Sequence, residues 1–119
     1  MNEEEVIFRV KEFFEENGFK VTSEAPVSSF FVDLLAVKDR KKFFVECRGA
    51  NYLRPHEIHV MIGQIVSEMI RIESGIHYCL AMPLSLATEF KTFGVEGIKA
   101  LGLTLLIVLD TGIWEGTVC

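Results

Sequence analysis

The stretch FFVDLLAVKDRKKFFVECR, Phe30 to Arg48, decides the architecture. Two runs rich in Val and Phe, Phe30–Lys38 and Lys42–Arg48, flank a charged segment holding Asp39 and Arg40, the pattern of a β-hairpin. A turn of two residues, Asp39 and Arg40, or of four, 38–41, sets Asp33 opposite Glu46. Side chains facing each other across an antiparallel pair have Cβ atoms about 4.5–5.5 Å apart, where like charges repel. Both acids also interrupt apolar strands, and burying an unpaired charge is costly. Two resolutions are open. A hard divalent cation between the carboxylates removes both penalties. So does an ion pair with Arg48, two residues after Glu46 and on the same strand face. An odd-length turn would leave the acids diagonal instead.

On the N-terminal side, Asn2 can cap a helix whose third residue, Glu5, returns the bond. Val6, Ile7, Val10, Phe13 and Phe14 give that helix one apolar stripe, and Asn17-Gly18 should end it. Phe19 and Val21 suggest a short strand before the loop that closes at Ser28-Ser29. On the C-terminal side, the loop ANYLRP leads to a second helix with Pro55 in its first turn and Gly75 just past its end. Its arc of Ile58, Met61, Ile62, Ile65, Met69 and Ile72, broadened by Val60, Val66 and Ile70, is wide enough to need cover from the sheet and from a second subunit. IHYCLAMP is a strand stopped by Pro83. A third helical region, interrupted by Gly94 and Gly97, runs to about Leu101; LTLLIVL is a buried strand, and Trp114–Cys119 an added edge strand. The order is helix, three strands, helix, strand, helix, strand: an α/β sandwich about a central mixed sheet flanked by helices, with 1–119 as one domain.

Composition agrees. A chain of 119 residues, 50% apolar and 24% charged, suits one compact domain. Mean hydropathy is +0.31, but the longest nearly apolar run, Ala100–Leu109, falls short of the roughly 20 residues a membrane helix needs. The opening MNEEE is acidic where an export signal is basic and then apolar, so the expected location is the cytoplasm. Cys47, Cys79 and Cys119 are odd in number and form no C-x-x-C pair, which points to buried thiols rather than a disulfide framework or zinc site. A net charge of -5 excludes coating nucleic acid by bulk positive charge, so any such contact is local.

Other signals carry less. His56-Glu57-Ile58-His59 has its histidines three apart, not four, and no G-x-x-x-x-G-K or G-x-G-x-x-G occurs. Lys38, Arg40, Lys41 and Lys42 form either a solvated turn or a contact to a DNA backbone. Phe30, Phe31, Phe43 and Phe44 read as core residues, and adjacent phenylalanines must point oppositely, so both sheet faces should be covered.

Asp33, followed after twelve residues by Glu46-Cys47-Arg48, resembles the D…(D/E)-x-K signature of the PD-(D/E)XK, or restriction-endonuclease-like, nuclease superfamily. The leading helix ending at Gly18-Phe19, the Gly63-Gln64 pair on the second helix and the closing strand, helix, strand order fit that resemblance. It implies an α-β-β-β-α-β-α-β sandwich and the site of a metal-dependent phosphodiesterase, endonuclease-like, but not a substrate; the substrate expected here is DNA, with branched or resolvase-type DNA among the candidates. Asp33 and Glu46 would hold Mg²⁺ or Mn²⁺ with the carbonyl of Cys47, whose side chain points to the opposite face, into the core. Arg48 would stand where the family has lysine, and Gln64 would line the site. Apart from the resemblance, His56 in the first turn of the second helix is expected near enough to the cleft to touch phosphate, with Arg48 and Arg54, and the apolar excess on that helix together with the small domain points to a homodimer. In some branches an acid of the first helix contributes, and Glu4 or Glu5 is the counterpart here. Two departures stand out: Val32 replaces the signature proline, and Arg48 replaces lysine. A guanidinium stays protonated, so Arg48 can stabilise charge but cannot serve as a base. A catalytically impaired module that binds nucleic acid or a protein partner is therefore the alternative.

Overall fold

The hairpin closes in the register that puts the two acids at the same level. Lys38 pairs with Lys41 across Asp39-Arg40, and the ladder runs through Val37↔Lys42, Ala36↔Phe43 and Leu35↔Phe44 to Leu34↔Val45. Asp39 takes the left-handed conformation (φ 53°), which Asp tolerates better than most residues. The computed structural model describes residues 1–27, 30–50, 62, 63, 65, 66, 75–87 and 100–115.

In chain order the elements are α1 (Glu3–Glu16), β1 (Lys20–Val27), β2 (Phe30–Lys38), β3 (Lys41–Cys47), β4 (Ile76–Pro83), the short α2 (Leu84–Ala87), β5 (Leu103–Leu109) and β6 (Gly112–Glu115). They build one six-stranded sheet in the order β1-β2-β3-β4-β5-β6. β1, β2 and β3 are antiparallel, β3, β4 and β5 are parallel, and β6 returns antiparallel to β5. This is the mixed α/β sheet expected. Residues 62, 63, 65 and 66 are helical, within the second helix read from the sequence; the rest of that helix and most of the third helical region lie outside the described residues.

α1 ends as its sequence dictates. The Asn2 side chain accepts a hydrogen bond from Glu5 N at 2.9 Å, and Glu3, Glu4 and Glu5 complement the positive end of the helix dipole. At the other end Gly18 (φ 84°) donates to Glu15 O and Phe19 N donates to Phe14 O, a Schellman closure with the Phe14 and Phe19 rings in contact. Lys38 Nζ donates to Asn17 O at 2.8 Å, tying that end to the hairpin.

Alternation along the strands fills both sheet faces. Val45, Cys47, Cys79, Ala81, Leu106 and Val108 pack under Val6, Val10 and Phe14 of α1. Tyr78, Leu80, Met82, Leu105 and Ile107 face the other way, against Ile65 and Leu86. Phe43 joins the first layer and Phe44 the second, as adjacent phenylalanines must. Phe31 departs from the expectation of core: it is 67% exposed, because the ladder to β3 has stopped at Leu34 and only β1 still pairs with that end of β2. β1 is longer than the short strand expected, since it follows β2 along its length, and Pro26 is tolerated because β1 is an edge strand. The final edge strand starts at Gly112, two residues earlier than expected; 116–119 lie outside the described residues.

Gly75 shows how tightly the parallel strands are joined. It has φ 89°, its carbonyl accepts from Lys42 N at 2.8 Å, and a Cβ there would come within 2.5 Å of Arg40 O. Gly75→Ala therefore combines a left-handed penalty of about 1–2 kcal/mol with a backbone clash. The urea midpoint should fall by at least that equivalent with no change in the m-value.

Candidate active site

The site forms where β2 and β3 part. Beyond Leu34↔Val45 the backbone ladder stops, and the amide of Cys47, on the β2 side of β3, donates instead to Asp33 Oδ2 at 2.8 Å. The Asp33 carboxylate thus does the work of a backbone rung while lying beside Glu46. On its other flank the ladder to β1 passes from Ser23↔Leu34 to Ala25↔Val32, and Glu24, at the level of Asp33, has φ 49°. A left-handed glutamate in a strand is strained, and such strain collects where the chain serves more than packing. Glu46 and Arg48 stand at the carboxyl end of β3, which runs parallel to β4 and β5. Open α/β sheets bind ligands at that end of their strands.

Among the described residues, four oxygens lie close to Arg48 Nη1. It is 2.8 Å from Cys47 O, 3.3 Å from Glu46 Oε2, 3.4 Å from Glu3 Oε1 and 3.6 Å from Asp33 Oδ2. Side-chain exposure rises from 4% at Glu46, through 28% at Asp33, to 51% at Glu3. A carboxylate as deep as Glu46 is tolerable only beside positive charge and hydrogen-bond donors. Asp33, Glu46 and the Cys47 carbonyl, the three groups that the family resemblance assigns to a metal, therefore converge on one cationic nitrogen. Two carboxylates and a carbonyl are hard oxygen donors of the kind Mg²⁺ and Mn²⁺ take, so the residues fit such an ion. Among the described residues no group of three or more His, Cys, Asp or Glu side chains could hold a metal ion.

Glu3 is the member that sequence reasoning missed. The acid of the first helix that meets Arg48 is Glu3, at 3.4 Å, whereas Glu5 lies at the cap with its amide bonded to Asn2. Its place is set by the chain just after β3. Ala50 N donates to Met1 O at 3.0 Å, and a Cβ on Gly49 would collide with the backbone of Asn2 and Glu3. A glycine directly after Arg48 is the one sequence signal of that close approach. Gln64, Arg54 and His56 lie outside the described residues.

No known family profile and no curated protein matches the sequence. Solved structures do. An XisH family protein from Nostoc punctiforme superposes with a TM-score of 0.68 at 22% identity, covering 92% of this chain and 95% of that one. An fdxN element excision controlling factor protein from Anabaena variabilis superposes with a TM-score of 0.66 at 20% identity, covering 94% and 95%. The chain has a restriction-endonuclease-like fold. At this identity the likeness is one of fold. Among the described residues no helix is long and apolar enough to cross a membrane.

The Cys47 thiol is no nucleophile. It lies in the core under α1, and burial first, then the negative charges of Asp33, Glu46 and Glu3, push its pKa well above the ordinary value, with Arg48 pulling the other way. Only the thiolate attacks. Iodoacetamide at about pH 8, near the ordinary thiol pKa, should leave Cys47 unmodified in folded protein and label it after denaturation, read by peptide mass mapping.

Proposed function

We propose that the protein is a metal-dependent phosphodiesterase of the PD-(D/E)XK type acting on DNA. The observation that carries this reading is the convergence of Asp33, Glu46 and the Cys47 carbonyl on one cationic position, all within 3.6 Å of Arg48 Nη1. Asp33 and Glu46 hold Mg²⁺ or Mn²⁺ together with the Cys47 carbonyl. A bound divalent ion supplies an acidified water and a counter-charge for the phosphoryl oxygens. Arg48 remains protonated and binds phosphate, fixing the backbone and offsetting negative charge that develops on it. The attacking water is not deprotonated by Arg48. In this reading Arg54 and His56 have the role of contacting phosphate and Gln64 that of a further site residue, and a second copy of the chain supplies a wider binding surface than one small domain offers. Supporting DNA as the polymer, one structural neighbour is named for the excision of an element. Branched, resolvase-type DNA is the first substrate to try.

The arginine itself favours a second reading, a nuclease-fold module in which Arg48 fills the cation position and cleavage is impaired. The test is cleavage of single-stranded, duplex and branched DNA with Mg²⁺ and with Mn²⁺. Wild type should cut, and Asp33→Ala and Glu46→Gln should each lose at least about a hundredfold in rate, the equivalent of a few kcal/mol of charge stabilisation. Activity that persists in Asp33→Ala removes this site from the reaction. A silent wild type with an active Arg48→Lys variant establishes the impaired module instead. DNA binding that falls steeply with added salt identifies phosphate contacts.

A further inference from the structure

A guanidinium and a divalent ion cannot share the same carboxylates. If Asp33 and Glu46 take a metal, Arg48 must move, and a half-buried guanidinium is best served by moving toward another anionic acceptor within reach. The oxygens around Nη1 are graded in depth. Glu46 is at the buried end with 4% exposure and Glu3 at the solvent edge with 51%, already 3.4 Å from the same nitrogen. Glu3 has little freedom to drift away, because Met1 is bonded to Ala50 and the start of α1 rests on Gly49. Glu3 and the metal pair are thus held at a set spacing by the strand that carries both Glu46 and Arg48.

We infer that Arg48 is an internal cation that holds the Asp33–Glu46 pair together until metal arrives, and that Glu3 is the positioning residue that receives it. Glu3 acts through Arg48 and is not itself a metal ligand. The exchange keeps two like charges from facing each other without a counterion, and it leaves the guanidinium beside the metal, on the open side of the site where a phosphate would enter. This inference rests on the metal reading above.

The test is a Mn²⁺ titration followed by electron paramagnetic resonance on the full chain, comparing wild type, Glu3→Gln, Arg48→Gln and the double variant, with Asp33→Asn as the site control. Glu3→Gln should weaken Mn²⁺ binding about tenfold, because the guanidinium is left competing for the pair. Arg48→Gln should tighten binding, and adding Glu3→Gln to it should change affinity by less than about twofold, since no guanidinium remains to be received. In wild type, Mg²⁺ should shift the Arg48 side-chain ¹H–¹⁵N resonance. Equal weakening by Glu3→Gln in both backgrounds would make Glu3 a ligand and overturn the inference, as would no weakening in wild type or an Arg48 resonance that stays in place. Those outcomes leave the metal site standing. Mn²⁺ binding that is absent, or that survives Asp33→Asn, removes the metal site and this inference with it.

Discussion

Two carboxylates on neighbouring strands can occupy one site only if positive charge is placed between them, and that constraint organises this end of the molecule. Glu46 is nearly buried and Asp33 is held in place by the amide of Cys47, so neither acid turns freely away from the other. The hairpin register brings them level, the end of the β2–β3 ladder frees the Cys47 amide, and the residue after Cys47 supplies the charge. Each of these steps follows from the one before. A slip of one residue in the hairpin would take Asp33 out of line with Glu46 and away from the face that Glu46 and Arg48 share.

The same end of β3 also fixes how the helix layer meets the sheet. Gly49 lets the start of α1 lie directly on the chain leaving β3, and the Met1–Ala50 hydrogen bond holds it there. The buried stripe of Val6, Val10 and Phe14 then covers Val45, Cys47, Cys79 and Ala81. Burial of Cys47 in that layer and exposure of its carbonyl to Arg48 are two sides of one strand geometry: the side chain points to one face while the peptide lies in the sheet plane. A residue that contributes its backbone to a site can therefore carry an inert, apolar side chain.

That residue 48 is an arginine, and not a lysine, bears on what the site can do more than on where it is. A guanidinium is planar, always charged and able to meet several oxygens at once, which is how one nitrogen comes to lie near three carboxylates and a carbonyl. An ammonium would hold a smaller set and could give up its proton when desolvated. An arginine at this position favours charge stabilisation and excludes proton abstraction by this residue.

The order of helices and strands, the hairpin register, the cap at Asn2, the closure at Gly18 and the grouping of Asp33 with Glu46 and Arg48 were legible in the chain itself, because each depends on residues close in sequence or on strand alternation. Tertiary structure decided the rest. That Glu3, and not Glu4 or Glu5, meets Arg48 depends on the rotation of α1 about its axis, which is set by packing against the sheet and by the contact at Gly49. That Phe31 is exposed depends on the β2–β3 ladder stopping before that end of β2, and the left-handed Glu24 stands where the β1–β2 ladder skips a pair. Local spacing determines which side chains share a face; only the docking of one element on another determines which of them touch, because that distance passes through space and not along the chain.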